Sequence, residues 1–360
     1  MRRVLHPVTL TLLVILGISV LPWLFPEKAL QVPDDATLRR EALSHNLLPI
    51  PRSREGMLAV ADNPANPVTP DKVALGKKLF FDPRLSRDGT ITCASCHILE
   101  AGGDDNRPTA IGYHGRANPF HLNSPTVLNA ALERSQFWDG RAKDVEEQAG
   151  GPVQAPFEMN MTPDEVVARL RKDPEMAADF AKVFGENNLT FTNVRNAIGA
   201  YERTLLTRGP FDDFLDGNDS AISPAAKRGL TLFMERGCKG CHTGMSVGGQ
   251  LVKRFPLRRY FFDYMGIDPR TWTVKRDEIP FDNIGGFTGR EGSYFFKVPV
   301  LRNIARTGPY FHNGAVKELH EAVRIMSKYQ LGREFTPAEI NDTVAFLKSL
   351  SGEIVDYGYE

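Results

Sequence analysis

The sequence predicts an all-α protein made of two helical domains related by internal duplication, preceded by a membrane anchor. Three observations lead to that fold class. All four cysteines of the 360 residues fall into two copies of one pattern, Cys93-Ala94-Ser95-Cys96-His97 and Cys238-Lys239-Gly240-Cys241-His242. The segments around the two copies repeat one another. Strand signals are sparse and confined to stretches such as Tyr294-Phe295-Phe296-Lys297-Val298.

Residues 1–26 differ in kind from the rest. Arg2 and Arg3 precede an apolar run from Val8 to Phe25, interrupted by Thr9, Thr11, Gly17, Ser19 and Pro22. Its eighteen residues approach the lower limit for spanning a bilayer and exceed the usual core of a signal peptide. No small-x-small cleavage site follows, Trp23 suits the membrane interface, and the paired arginines favour an inside N-terminus. An uncleaved anchor is therefore expected ahead of a cleaved signal, and a buried core helix is the plainest alternative. Residues 27–65, dotted with Pro33, Pro49, Pro51 and Pro64, read as a tether or a strap over the surface.

The first domain is expected over 66–207 and the second over 208–352, with 353–360 as a tail. Each opens on a helix-start signal, Thr69-Pro70 in one and Ser223-Pro224 in the other, where Ser or Thr caps the helix and Pro takes its first position. On a helix, residues i, i+3 and i+4 share a face, so two thiols and one imidazole of each motif point the same way. That is the arrangement needed to hold two vinyl groups of a haem covalently and its iron axially. A zinc ribbon brings its ligand pairs within tens of residues, whereas these histidines lie 145 apart. A dithiol redox motif expects a strand–helix context and needs no following His.

Downstream of the motifs an offset of 174 aligns Pro125 with Pro299, Asn129 with Asn303, Phe137 with Phe311 and Gly140 with Gly314. At the same offset Thr162-Pro163-Asp164-Glu165 matches Thr336-Pro337-Ala338-Glu339, two capping boxes that open amphipathic helices. The repeat breaks at Met326, in the helical stretch Leu319–Tyr329, whose partner is Pro152. A thioether there can supply a sixth ligand to the second haem and raise its potential, and proline cannot. A core methionine is the plainer alternative. The two haems are thus expected to be inequivalent.

Composition excludes other classes. The 44 basic residues balance 44 acidic ones, so no broad basic surface awaits nucleic acid. With 22 Phe and 9 Tyr the chain has the material of packed cores, and its 31 Gly and 25 Pro follow no collagen-like period.

The chain resembles the bacterial di-haem cytochrome c peroxidases, with the methylamine-utilisation di-haem enzymes as a sister branch. The resemblance spans about residues 66–352. It rests on Asn123-Ser124-Pro125-Thr126, Gln136-Phe137-Trp138-Asp139-Gly140-Arg141, Gly151-Pro152-Val153 with Glu158-Met159, Lys297-Val298-Pro299, Leu301-Arg302-Asn303, Pro309-Tyr310-Phe311-His312 and Gln330-Leu331-Gly332. It implies two cytochrome c-type domains, the first peroxidatic and the second for electron transfer. Cys93 and Cys96 with His97, and Cys238 and Cys241 with His242, would hold the two covalent haems. His97 and His242 would be the proximal iron ligands, Met326 the distal ligand of the high-potential haem, and His114 the resting ligand of the other. Glu158 would be the acid/base, Gln148 its neighbour, and Trp138 the residue between the haems. Asn123, with the backbone oxygens of Thr307 and Pro309, would bind one calcium ion. Between His114 and Asn123 the chain departs from the commoner basic, Trp-containing segment, which makes His121 a second candidate cap. Met at 326, where the sister branch has Tyr, favours the peroxidases.

The expected reaction is reduction of hydrogen peroxide to water with electrons from a small c-type cytochrome or cupredoxin, on the periplasmic side of the inner membrane or free in the periplasm. A homodimer is compatible with the resemblance. A di-haem oxidase of the sister type, and an electron carrier with two saturated haems, are the alternative functions. A carboxyl in an apolar pocket, as Glu158 would be, has the raised pKa that suits taking up and returning a proton.

Overall fold

The computed structural model describes residues 30–257 and 280–359. The proposed anchor, residues 1–26, lies outside the described residues, and among these no helix is long and apolar enough to cross a membrane. Residues 33–360 cluster into one compact unit.

The unit is mostly helical. In chain order it contains α1 (Asp35–Ser44), α2 (Arg54–Ala61), α3 (Pro70–Phe80), α4 (Val145–Gln154), α5 (Pro163–Leu170), α6 (Pro174–Phe184), α7 (Phe191–Glu202), α8 (Pro210–Leu215), α9 (Pro224–Glu235), α10 (Leu319–Ile325) and α11 (Pro337–Ser349). Four short strands, β1 (Thr207–Arg208), β2 (Val252–Arg254), β3 (Phe295–Lys297) and β4 (Glu353–Ile354), form two antiparallel pairs, β1 with β4 and β2 with β3. The anticipated strand near 294–298 is thus β3. Thr69 and Ser223 cap α3 and α9 with Pro at the first helical position, as their dipeptides indicated. Both capping boxes form, Thr162 with Glu165 and Thr336 with Glu339.

Two cores result. One gathers Leu75, Leu79, Phe80, Val166, Phe180 and Val194 under the first motif; the other gathers Leu230, Phe233, Val323, Val344, Phe346 and Leu347 under the second. In each, a glycine lets two helices touch. A Cβ on Gly76 of α3 would lie 1.9 Å from the Ala197 carbonyl oxygen of α7, and a Cβ on Gly229 of α9 would lie 1.9 Å from that of Asp342 on α11. Aromatic pairs lie beside these contacts, with ring centroids 5.4 Å apart for Phe80 and Tyr201 and 5.1 Å for Phe233 and Phe346. By packing, then, the counterpart of α11 is α7. The sequence match of the two capping boxes had paired α11 with α5 instead. A capping box records only how a helix begins, so it recurs wherever a helix needs a start.

Other repeats agree in both sequence and backbone. Asn129 and Asn303 have φ of 63° and 61°, Phe137 and Phe311 of 69° and 67°, and Gly140 and Gly314 of 67° and 60°. Isolated bridges Gln136↔Ala142 and Tyr310↔Val316 sit at the same offset.

The segment read as a tether or strap carries structure of its own. Leu38 and Ala42 of α1 join the second core, and Met57 and Ala61 of α2 form a small third core with Ile50, Leu206 and Tyr357. Its prolines punctuate the helices without preventing them, because Asp34 and Ser53 cap α1 and α2. The C-terminal tail is docked by β4 and by the Tyr357 hydroxyl, which donates to the Pro51 carbonyl at 2.8 Å.

Candidate active site and haem cavities

Each Cys-x-x-Cys-His motif occupies one helical turn, Cys93–Ser95 and Cys238–Gly240, which is less than the full helix its spacing allowed. The turn suffices for the expected geometry. His97 N donates to Cys93 O and His242 N to Cys238 O, each at 3.0 Å, so the three ligating side chains of a motif stay on one side. Each motif lines its own cavity. The one with Cys93, Cys96 and His97 has a volume of about 460 Å³, and the one with Cys238, Cys241 and His242 about 230 Å³.

The residues present fit a covalently held haem. All four cysteines are free. Burial pushes the thiols of Cys96 and Cys238 up to about 12 and raises those of Cys93 and Cys241 as well, so they are neutral. The Nδ1 of His97 lies 3.1 Å from the Gly103 carbonyl oxygen, which fixes that nitrogen as the donor and leaves Nε2 with a lone pair for a metal. At His242 the carbonyls of Val247 and Pro299 face the ring, although the buried Nδ1 makes no hydrogen bond of ordinary geometry. Burial lowers the pKa of both imidazoles, that of His242 to about 4, and keeps them neutral as ligands must be.

The cavities differ in their other walls. Met326 lines the His242 cavity. It opens a π-helical turn, Met326–Gln330, that continues α10, a widening that re-aims side chains and recurs at functional sites. Pro152, Gln148 and Glu158 line the His97 cavity. Pro152 interrupts α4, which brings a rigid apolar surface where the other cavity has a thioether.

Burial raises the pKa of Glu158, while the Arg141 charge and an Asn118 amide 3.3 Å from Oε1 pull it back in part. Arg141 is itself held over the Phe137 ring at 3.6 Å and paired with Asp139 at 2.9 Å. Trp138 lines both cavities, with Nε1 donating to the Asn123 carbonyl at 2.8 Å. Asn123, Thr307 and Pro309 line the His242 cavity together, and the Asn123 amide is oriented by donating to Arg107 O at 2.7 Å.

The structure does not bring His114 to either cavity. It is exposed, has φ of 56° and stacks on Tyr113 with 4.0 Å between ring centroids. The loop is anchored one residue earlier, where Tyr113 N donates to Glu158 O at 2.7 Å, and the left-handed turn then carries the imidazole outward. His121 is half-buried and lines neither cavity.

Sequence reasoning gave no role to Asn118, Arg141 and Glu202, all of which line the His97 cavity, nor to Asp104, which lines the other. Arg141 stands in a diagnostic string of the resemblance, and no local signal marks the other three. Glu202 follows Tyr201 on α7 as one more helical residue, yet at its packing counterpart the other cavity has Leu347.

The model of a family described as di-haem cytochrome c peroxidase matches residues 70–220. A cytochrome c551 peroxidase of Pseudomonas aeruginosa is 43% identical over 296 residues, covering 80% of this chain and 80% of its own. The chain belongs to the di-haem cytochrome c peroxidase family. A methylamine utilization protein MauG of Methylorubrum extorquens, from the sister branch, is 37% identical over 80% of both chains. The solved structure of a MauG-like protein associated with microbial copper homeostasis superposes with a TM-score of 0.66 at 25% identity, covering 83% of this chain and 95% of that one. Two c-type haems are therefore its cofactors.

Proposed function

We propose that this family member reduces hydrogen peroxide to water in the His97 cavity, using electrons that a redox protein delivers through the His242 cavity. The observation that carries the reading is the contrast between the cavities: Met326 lines one, and Pro152 with Glu158 lines the other. The haems supply the iron that binds peroxide and the reducing equivalents. His97 and His242 would hold the irons, His97 with its ring oriented by the Gly103 carbonyl and His242 with the Val247 and Pro299 carbonyls facing its ring. Met326, on the wall of the His242 cavity, would offer its thioether to the iron held there and so leave peroxide to the other cavity.

Glu158 takes the proton from one peroxide oxygen and returns it to the departing one, so that water leaves in place of hydroxide. The Asn118 amide holds the carboxylate in position for both transfers, and Gln148 orients the substrate beside it. Trp138, on the wall common to the cavities, eases electron passage between them. His114 as a resting ligand requires the 113–116 loop to turn inward from its present exposed position.

We further infer that the halves 66–207 and 208–352 arose by duplication, which their matched left-handed turns and glycine contacts support. A calcium ion, a hard cation suited to oxygen donors, would be held by Asn123, Thr307 and Pro309. The apolar N-terminal segment supports export to the periplasm, either anchored or free, with a small c-type cytochrome or cupredoxin as donor.

The test is turnover of a reduced c-type cytochrome by hydrogen peroxide. Pre-reduced di-haem protein with no turnover overturns the reading, and unchanged turnover in a chelator overturns the calcium assignment.

A further inference from the structure

Asp104 is 1% exposed, and among the described residues its Oδ2 makes no hydrogen bond. Oδ1 accepts from the Asn106 amide at 3.0 Å. Desolvation, and next the negative charge of Asp105, push its pKa up to about 7. Protonation would not satisfy the group, because a hydroxyl at Oδ2 would itself need an acceptor and Oδ2 has no hydrogen-bond partner among the described residues. A buried carboxylate in this position calls for a cation.

The surroundings supply the rest of a cation site. The amide nitrogen of Asn106 that binds Asp104 also donates to Arg306 O at 2.7 Å and Gly308 O at 3.3 Å, which sets the carboxylate against the 306–308 backbone. The next residue, Arg107, accepts the Asn123 amide through its carbonyl at 2.7 Å. Asn106 and Arg107 thus tie together the loop of Asp104, the side chain of Asn123 and the segment of Thr307 and Pro309. All four of those residues line one cavity. Asn123, Thr307 and Pro309 offer only neutral oxygens, and neutral oxygens alone hold a divalent cation weakly.

We propose that Asp104 supplies the negative charge of the calcium site formed with Asn123, Thr307 and Pro309. The proposal rests on the calcium reading above and adds to it the one carboxylate of the set. The same charge makes the site selective for a divalent cation over a monovalent one, since it offsets part of a double charge.

The test uses the di-haem holoprotein stripped with a chelator and titrated with calcium chloride in a calorimeter. Wild type takes one equivalent. Asp104→Asn, which keeps the shape and the acceptor for Asn106, binds about tenfold more weakly or worse. Asp104→Ser shows the same loss. Asp105→Asn, one residue away with its Oδ1 accepting from Arg107 N at 3.1 Å, binds within about twofold of wild type. Calcium also raises the Tm of wild type more than that of Asp104→Asn, a readout independent of activity. Equal affinities of Asp104→Asn and wild type, or equal losses in the 104 and 105 variants, overturn the proposal while the calcium reading stands. A wild type that takes no calcium overturns both.

Discussion

Asn129 and Asn303 donate their side-chain amides to a single acceptor, the Thr207 hydroxyl, at 2.8 and 2.9 Å. Both asparagines are fully buried and left-handed, a conformation Asn tolerates better than most residues. Their carbonyl oxygens are used too, Asn129 Oδ1 by Thr207 N at 2.9 Å and Asn303 Oδ1 by Gly352 N at 2.8 Å. The two positions, 174 residues apart in sequence, therefore meet at one hydroxyl. Thr207→Val keeps the shape but leaves two buried amides short of an acceptor. Denaturant unfolding should show a loss of about 2–4 kcal/mol, and a loss under about 0.5 kcal/mol would mean the amides find other partners.

Turnover should depend on the ionised form of Glu158. Because burial raises its pKa, the carboxylate needed to accept the first proton is present only at pH values above that raised pKa. The acid limb of kcat/KM should accordingly lie above the ordinary carboxylate range. Glu158→Gln should lower kcat by about 10²–10⁴-fold and abolish that limb, with both haem spectra unchanged. A retained limb would assign it to another group.

Met326 governs the second haem in this reading. Met326→His should keep six ligands but lower the potential, and Met326→Leu should open the sixth position, visible in the reduced spectrum. Turnover with a cytochrome donor should fall at least about tenfold in either case. Unaltered spectra in Met326→Leu would return Met326 to the core.

A methyl group at Gly76 would run into the Ala197 carbonyl, a backbone atom that cannot swing aside. Gly76→Ala should cost about 1–3 kcal/mol or more in unfolding experiments, although alanine is the better helix former by about 1 kcal/mol. A stabilised variant would show that α3 and α7 part easily.

Glu202 links stability to pH. Burial, with the Glu146 charge adding to it, pushes its pKa up to about 8. An unfolded Glu titrates near about 4.3. Through the window between those values the native chain keeps a proton that the unfolded chain has released, so stability falls as pH rises and levels off above the folded pKa. Glu202→Gln should remove a slope of at most about 1.4 kcal/mol per pH unit in that window. Parallel pH profiles for variant and wild type would mean that another group carries the slope.

The two haem motifs, the helix starts at Thr69 and Ser223, and the contrast of Met326 with Pro152 were all legible in the sequence. Each depends on a short spacing or on a repeat offset, and covalent chemistry or capping fixes the outcome locally. The helices of the 27–65 segment were harder to read, because their stability comes from cores assembled with residues far along the chain, as Leu38 does with Leu230 and Phe346.

The linear chain by itself determined where the two Cys-x-x-Cys-His motifs stand and that Met326 in one half corresponds to Pro152 in the other at the repeat offset. Folding decided what surrounds them. It set α7, and not α5, against α3, because close helix contact depends on where a glycine meets a carbonyl. It carried His114 out to solvent through one left-handed residue. It also buried Asp104, its Oδ2 without a hydrogen bond among the described residues, near Asn123 and the 306–308 backbone, a juxtaposition about 200 residues apart in sequence that no local pattern encodes.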